Sequence, residues 1–362
     1  MRATHERSTV LELGARGRLD GAPFTLTGRT CIEGGRGTIW NEWRMRFGDP
    51  RPRFLVESTG TFTVYEEGSL APGFGELTVG DPLDTGFVVV ERGEARRVAT
   101  WGEADAAPAR YAYADLSSRS GAVAAIDFGP VAEGALAGVA GASGAGSAAR
   151  ALTDGAGASE RPRVYVGRRV TLAALGLSVT AREPPWLVAA PDVSRPRGVE
   201  TWLDVGDEGV LDGVRFRVAG ALSRRLVAEA RVAWDEYLLY APELGLRWLV
   251  VVAGHWSLVE PVDPGRVVTS DGAATLDGTV YDAQPEATAR VAWATGALPW
   301  RVEIGETARV TDFVHGASML TRERTTDTLA WSRGVRVAPG AVAAAFAKRS
   351  LPKPAGHDPS AP

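Results

Sequence analysis

Short runs of β-branched and aromatic residues, separated by turn residues, recur along most of the chain. The segments 234–240, 247–253 and 256–260 are runs of this kind, and Pro, Glu and Gly residues lie between them. Such runs favour half-buried β-strands, and the short gaps favour tight connections between neighbours. This part of the sequence therefore predicts an antiparallel meander.

The chain repeats its own pattern. Segment 11–28 aligns with segment 203–220 at a constant offset, and after a two-residue slip the match resumes at Trp40 and Trp234. Each copy also contains an Asp-Gly pair between two strand-like runs, Asp20-Gly21 and Asp212-Gly213. Asp-Gly in this context is typical of a type I′ hairpin, because both central residues need a positive φ. The repeat predicts two modules with the same architecture.

We therefore predict a mainly β protein with two tandem antiparallel β-barrel-like or sandwich-like modules, derived from an internal duplication and carrying short helices. The first module, a diverged copy, covers residues 9–130, and the second covers residues 202–347 and ends in a short helix. Residues 131–162 are rich in Ala, Gly and Ser and predict a flexible linker. Residues 163–201 are expected to be a connector, and residues 348–362 a disordered tail.

Composition narrows the function classes. The 362 residues are 45% hydrophobic and 23% charged, as in a soluble globular protein, and the net charge of −4 offers no basic field for nucleic acid. The single cysteine, Cys31, excludes an intramolecular disulfide, and the four histidines lack metal-ligand spacing, so we expect no metal and no cofactor. No apolar run is long enough to span a bilayer, which favours a cytoplasmic location.

The order of these motifs resembles the bacterial family called domain of unknown function 4178. The resemblance depends on a glycine-rich entry, the hairpin, a Trp-x-Glu-[Tyr/Trp] motif, a Trp-Leu strand, a Trp-Ser pair and a helix ending in Ala-Phe. It extends to two tandem copies, of which roughly 202–346 matches better than roughly 9–129, where Trp43 replaces the usual tyrosine. The resemblance implies a β-rich cytoplasmic accessory protein, encoded beside membrane and envelope genes, with no established chemistry.

The Trp-x-Glu motif is the candidate functional or structural element. It occurs twice, as Trp40, Glu42 and Trp43 in the first copy and as Trp234, Glu236 and Tyr237 in the second. Residues two apart on a strand share a face, so each first Trp is expected to lie beside its Glu. A buried Glu236 would need an arginine, for which the sequence offers Arg215, Arg217 and Arg247. The structural interpretation is favoured over a raised-pKa acid.

The other candidates are weaker, and we predict no catalytic residue. His315 and Asp312 lack a nucleophile motif, and Gly14-x-x-Gly17 leads into a hairpin rather than a helix, so it cannot cradle a phosphate. Most tryptophans are expected to pack in the core, with five of them on strand faces: Trp234, Trp248, Trp293, Trp300 and Trp331.

The sequence thus favours a non-enzymatic cytoplasmic binding or scaffolding protein, accessory to a membrane or envelope-stress system. We expect a protein partner that is membrane-associated, with no nucleic acid and no direct membrane insertion. The alternative is a small-molecule-binding or hydrolytic enzyme that uses Glu42 or Glu236 in a cleft between the modules.

Overall fold

The computed structural model describes residues 9–70, 77–103, 109–131, 162–178, 185–191, 193–194, 201–242, 244–352 and 354. The chain divides into two compact units, residues 1–180 and 181–362, and each is described by itself. Most of the predicted linker, and the predicted tail beyond residue 354, lie outside the described residues.

The first unit contains nine antiparallel strands: β1 (Arg16–Leu19), β2 (Ala22–Gly34), β3 (Ile39–Arg46), β4 (Arg53–Ser58), β5 (Thr61–Gly68), β6 (Phe87–Gly102), β7 (Arg110–Ser118), β8 (Ala122–Pro130) and β9 (Arg163–Val170). Eight of them pair in the order β2-β3-β4-β5-β9-β8-β7-β6, and β6 pairs with β2 again. The sheet therefore closes into an eight-stranded antiparallel barrel. The predicted mainly β fold is confirmed.

Strand β9 differs from the sequence prediction, which placed residues 163–170 in a connector. It pairs with β5 on one side and with β8 on the other, so it completes the wall of the first barrel. The sequence prediction ended the first module at residue 130 because a long Ala/Gly/Ser-rich segment follows. Strand β8 precedes β9 in strand order but is separated from it by that segment, and β5 lies much earlier in the chain, so the local sequence pattern does not reveal either pairing.

The hydrophobic core of the first unit lies on one face of β2–β5. Trp43, Leu26 and Leu55 pack there against the β1–β2 hairpin, the chain around Leu11 and a 3-10 turn ending at Leu175. Asp20 and Gly21 have φ values of 49° and 83°, as the predicted type I′ turn requires. The opposite face of these strands points into the barrel, and we call the space enclosed by β2–β9 the first lumen.

The second unit contains thirteen strands: β10 (Val188–Ala189), β11 (Glu208–Leu211), β12 (Val214–Leu226), β13 (Ala233–Ala241), β14 (Gly245–Val252), β15 (His255–Val262), β16 (Val267–Ser270), β17 (Ala273–Leu276), β18 (Thr279–Ala283), β19 (Ala287–Leu298), β20 (Thr307–His315), β21 (Ser318–Arg324) and β22 (Leu329–Val337). Helix α1 (Pro339–Ala345) follows, at the predicted place. The strands β13, β14 and β15 form the predicted meander.

The second unit closes in the same strand order as the first. Each strand pairs with the next in the order β12-β13-β14-β15-β22-β21-β20-β19, and β19 pairs with β12 to close the barrel. Each barrel also carries a bulge at the same point of its long strand, before Gly28 in the first and before Gly220 in the second. An added Cβ at either glycine would meet a backbone carbonyl oxygen, that of Glu103 just after β6 for Gly28 and that of Ala297 on β19 for Gly220. We call the space enclosed by β12–β15 and β19–β22 the second lumen.

The core of the second unit repeats the arrangement of the first. Tyr237, Leu249 and Trp256 pack on one face of the wall, and helix α1 covers them through Val342 and Phe346. Within the part of the chain that the structure describes, no helix is long and apolar enough to cross a membrane.

Candidate functional site

The first lumen contains a cavity of about 330 Å³. Its walls include side chains from all eight strands of the barrel. A closed eight-stranded barrel is just wide enough to be filled by its own side chains or to hold one small ligand. The cavity is within the size range of small-molecule sites, and its lining is therefore the candidate site.

Strand β7 supplies the most distinctive part of the lining. Its sequence alternates Tyr111, Ala112, Tyr113, Ala114 and Asp115, so both tyrosines and the aspartate line the first lumen while the small alanines occupy the other face. The ring of Tyr113 lies 5.5 Å from that of Trp40 on β3, which is not a neighbour of β7. This ring contact therefore crosses the barrel interior.

The side chain of Asp115 is half-buried and lines the cavity of the first lumen. Burial, together with the nearby carboxylates of Glu91 and Glu42, raises the pKa of Asp115 from its ordinary 3.8 to about 8. Among the residues that the structure describes, none donates a hydrogen bond to Asp115 or forms an ion pair with it. Asp115 thus carries its proton at neutral pH and has unused hydrogen-bonding capacity.

Several other charged or phenolic groups of the first lumen have partners within the protein. The hydroxyl of Tyr113 donates to Glu91 Oε1, and burial raises the pKa of Tyr113 well above 10. Arg44 lies 3.8 Å from Glu103, between Nε and Oε2. The guanidinium of Arg97 lies 5.8 Å from the ring centroid of Tyr111. Asp115 differs from these groups, because no described residue forms such a contact with its carboxyl.

The first Trp-x-Glu motif divides between the two faces of β3. Trp40 and Glu42 line the first lumen, as the two-residue period predicts. Trp43 points the other way and is 1% exposed, and its Nε1 donates to Glu57 Oε2 at 3.2 Å.

Glu57 is a buried carboxylate on the outer face of the first barrel. It accepts hydrogen bonds from the Val10 amide at 2.8 Å, from Thr9 and from Trp43. Burial raises the pKa of Glu57, and these donors and the nearby Arg29 oppose the shift. Glu57 therefore fixes the chain at residues 9–10 against the wall, which is a structural role.

The second Trp-x-Glu motif lies in an ion-pair cluster. Trp234 Nε1 donates to Glu236 Oε1 at 2.7 Å, and Arg224 Nε lies 3.2 Å from the same oxygen. The Nη1 of Arg224 donates to Glu323 on β21 at 3.0 Å, so the cluster crosses the interior of the second barrel. The side chains of Arg224 and Glu236 are 5% and 15% exposed.

The arginine beside Glu236 is Arg224, and none of the three arginines that the sequence offered occupies this place. Arg224 pairs in register with Trp234, two residues from Glu236, and therefore lies diagonally next to it. A bulge in β12 sets this register, and the linear sequence does not locate the bulge. Tyr237 lies on the opposite face, is fully buried, and accepts a hydrogen bond from the Trp202 amide at 2.9 Å.

The remaining candidates are separate from both clusters. Asp312 accepts a hydrogen bond from Thr321 at 2.7 Å, and burial raises its pKa, while His315 Nδ1 lies 2.9 Å from the Val280 carbonyl oxygen. Cys31 is buried. Within the described ranges, no group of three or more His, Cys, Asp or Glu residues is placed to hold a metal ion.

The five tryptophans assigned to strand faces differ in burial. Trp293 and Trp331 are buried, while Trp234 and Trp248 are half-buried. Trp300 lies just after β19 rather than on a strand, and its Nε1 donates to Glu306 at 2.9 Å.

Sequence reasoning missed Asp115, Tyr111 and Tyr113. The Tyr-Ala-Tyr-Ala-Asp alternation was an available signal, because it places three polar or aromatic groups on one face of a strand. What the sequence could not supply was the closure of the barrel, which turns that face inward.

The comparisons with known proteins concern the second unit. No curated protein and no solved structure matches the chain. The matching family is described as Domain of unknown function (DUF4178), and its model covers residues 204–339, from the entry of β11 to the start of helix α1. Over its second barrel, the chain is therefore similar to the DUF4178 family.

Proposed function

We propose that the protein is a non-enzymatic binding protein that holds a small molecule in the first lumen. The cavity of about 330 Å³ supports this proposal because it is enclosed by a closed wall and contains a few polar groups among aromatic rings. These are the usual properties of a preformed ligand site.

The observation that carries the proposal is the difference between the two lumens. In the second lumen, Arg224 bridges Glu236 and Glu323 and occupies the interior with its own side chain. The residue in the matching register position of the first barrel is Ile32, which lies opposite Trp40 as Arg224 lies opposite Trp234. An ion-pair cluster of that kind gives the second barrel a structural interior, while the interior of the first contains the cavity.

We also infer that the first unit is a diverged second copy of the same domain. The shared strand order, the shared Asp-Gly hairpins and the shared bulges before Gly28 and Gly220 support this inference. In such a pair, one copy can keep the ancestral interior while the other acquires a ligand.

The test is a fragment screen on the full chain by ligand-observed NMR, with a variant that fills the cavity. Val56 lines the cavity, and Val56→Trp should abolish the binding of fragments that bind the wild type. Val335 is 50% exposed, so Val335→Trp is the control of equal size and should leave binding unchanged.

If Val56→Trp does not fold, Ala125→Phe on β8 fills the same cavity from another strand. Circular dichroism melting establishes that each variant is folded. Fragments that bind both lumen variants as well as the wild type would contradict the proposal.

A hydrolytic enzyme is the second candidate, and the pairing of Glu42 with Asp115 favours it. A carboxylate beside a carboxyl that holds its proton at neutral pH is the arrangement of a general base and a general acid. An enzyme would turn over a bound compound and lose turnover in Glu42→Gln, whereas a binding protein would release the compound unchanged. The same role for Glu236 is disfavoured, because Arg224 holds that carboxylate in an ion pair.

We propose a cytoplasmic location and a membrane-associated protein partner, as the sequence suggests. The net charge of −4 supports this view, because direct adsorption to anionic lipid requires clustered Lys or Arg, each worth about 1 kcal/mol. The protein should stay in the supernatant when it is spun with protein-free anionic liposomes. Salt-sensitive co-sedimentation would contradict the partner proposal.

A further inference from the structure

We propose that the ligand of the first lumen is an organic cation, an amine or amidine whose charged head contacts Asp115 and whose body lies against the lumen tyrosines. This inference rests on the proposed function, because it names the class of ligand that the same cavity takes.

The carboxyl of Asp115 is a hydrogen-bond acceptor that no described protein group uses. Asp115 faces the cavity and, among the described residues, has no hydrogen-bond or ion-pair partner. Asp115 is half-buried and borders the cavity, so its carboxyl is available to a ligand that enters the lumen. At the same place in the second barrel, the sixth residue of β20, Asp312 accepts a hydrogen bond from Thr321. The fold can therefore satisfy this carboxyl internally, and the first barrel does not.

The charges around the cavity indicate whether its ligand is an anion or a cation. Four arginines line the cavity, and each has a contact within the protein. Arg44 approaches Glu103, Arg97 lies beside Tyr111, Arg163 is hydrogen-bonded to Tyr165, and Arg169 also has a protein partner. An anion would have to approach the carboxylates that already raise the pKa of Asp115. A cation with N–H donors satisfies Asp115 and relieves that repulsion, so the chemistry of the cavity favours an ammonium or amidinium head.

The aromatic lining of the cavity indicates what the uncharged part of the ligand is. Tyr65, Tyr111, Tyr113 and Tyr165 line the cavity, and Trp40 packs against Tyr113. Aromatic faces attract cations and also bury apolar carbon, so they suit an alkyl or aryl amine. A cavity of about 330 Å³ has room for a ligand the size of a substituted benzylamine.

The binding of a cation should release a proton from Asp115. Several charged or titratable groups face or flank Asp115: Glu91 and Arg97 from β6, Glu42 from β3, Asp127 from β8, Arg163 from β9, and Tyr111 and Tyr113 from its own strand. With a pKa of about 8, Asp115 holds about 0.9 proton at pH 7, and an ammonium head would displace it. A neutral ligand would leave the proton in place.

The experiment is isothermal titration of the full chain with 4-bromobenzylamine and with its neutral analogue, 4-bromobenzyl alcohol. The amine should bind about tenfold more tightly than the alcohol, because a charge-assisted hydrogen bond is stronger than a neutral one. Titration at pH 7 in buffers of different ionisation enthalpy should give release of close to one proton for the amine and none for the alcohol.

Two variants form the matched controls. Asp115→Asn should reduce the preference for the amine to within about threefold and abolish the proton release, since the amide neither ionises nor attracts the cation. Asp312→Asn changes the equivalent carboxyl of the second barrel. It should leave the preference for the amine and the proton release unchanged.

The outcomes separate this inference from the proposed function. If the alcohol binds as tightly as the amine and Val56→Trp abolishes the binding of both compounds, the first lumen is a ligand site but not a cation site. The cation proposal then fails while the proposed function stands. If neither probe binds and the fragment screen gives no lumen-dependent hit, the proposed function fails as well. If the amine binds equally well to Asp115→Asn, the assignment of Asp115 is overturned.

Discussion

The first and second barrels place a carboxylate at the same point of the same strand, Glu42 on β3 and Glu236 on β13, and surround it differently. Glu236 lies against a buried arginine that also holds Glu323. Glu42 lies on the wall of a cavity, near a carboxyl that keeps its proton. The motif alone therefore does not determine the role of its glutamate; the side chains that surround it in the barrel interior do.

The two barrels carry an interior arginine on different strands. Arg224 pairs with Val291 on β19, whereas in the first barrel Ile32 pairs with Arg97 on β6. In the first barrel the positive charge thus lies on the neighbouring strand, where Arg97 lies beside Tyr111. A shift of one strand keeps a cation in the interior and changes the side chains that it contacts.

The largest expected effect tests the structural role of the second lumen. Arg224→Met leaves Glu236 and Glu323 without their shared cation and should destabilise the protein by about 3–5 kcal/mol in urea unfolding. Ile32→Met at the matching position changes only apolar packing and should cost less than about 1.5 kcal/mol. Adding Glu236→Gln to Arg224→Met should recover part of the loss. Equal effects of the two single substitutions would remove the contrast between the barrels.

The shared bulges give the next largest effect. A Cβ at Gly28 would lie 1.7 Å from the Glu103 carbonyl oxygen, and a Cβ at Gly220 would lie 2.4 Å from that of Ala297. Both Gly→Ala substitutions should therefore destabilise, by about 1–3 kcal/mol or more, with the greater loss at Gly28. Gly48→Ala, with open space around it, is the control for thermal melting. A neutral result at either bulge would mean that the two long strands do not share this geometry.

The pH dependence of stability follows from Asp115. Its pKa is raised in the folded state, so the folded protein keeps a proton that the unfolded chain loses, and stability falls as the pH rises from about 4 to about 8. The contribution is at most about 1.4 kcal/mol per pH unit. Urea unfolding of the wild type and of Asp115→Asn should show a shallower slope in the variant over this range and parallel curves above it. Identical slopes would mean that Asp115 titrates normally.

The smallest effect concerns the tryptophan indoles. Trp234→Phe removes the donor to Glu236 and should cost about 1 kcal/mol in urea unfolding. Trp40→Phe keeps the ring contact with Tyr113 and should have the smaller effect. A greater loss at Trp40 would reverse the order of the two motifs.

The sequence predicted the local elements and the faces of single strands. The Asp-Gly turns, the meander and helix α1 were accessible because each depends on residues close together in the chain. The separation of Glu42 from Trp43 on opposite faces follows from the same two-residue period.

The interior of the barrels was not predictable in this way. Strand β9 joins the first barrel by pairing with β5 and β8, and Arg224 reaches Glu323 across the second barrel. Both facts depend on long-range pairing and on the position of a bulge. The cavity around Asp115 requires the closure of the whole wall, which no local pattern encodes.

The most direct test of a cation site in the first lumen is an anomalous diffraction measurement at the bromine edge, on crystals of the full chain soaked in 4-bromobenzylamine. We expect one bromine peak in the first lumen, with the amine nitrogen within hydrogen-bonding distance of the Asp115 carboxyl, and no peak in the second lumen, where Arg224 lies. A peak in the second lumen, or a first lumen without bromine at saturating amine, would contradict this expectation.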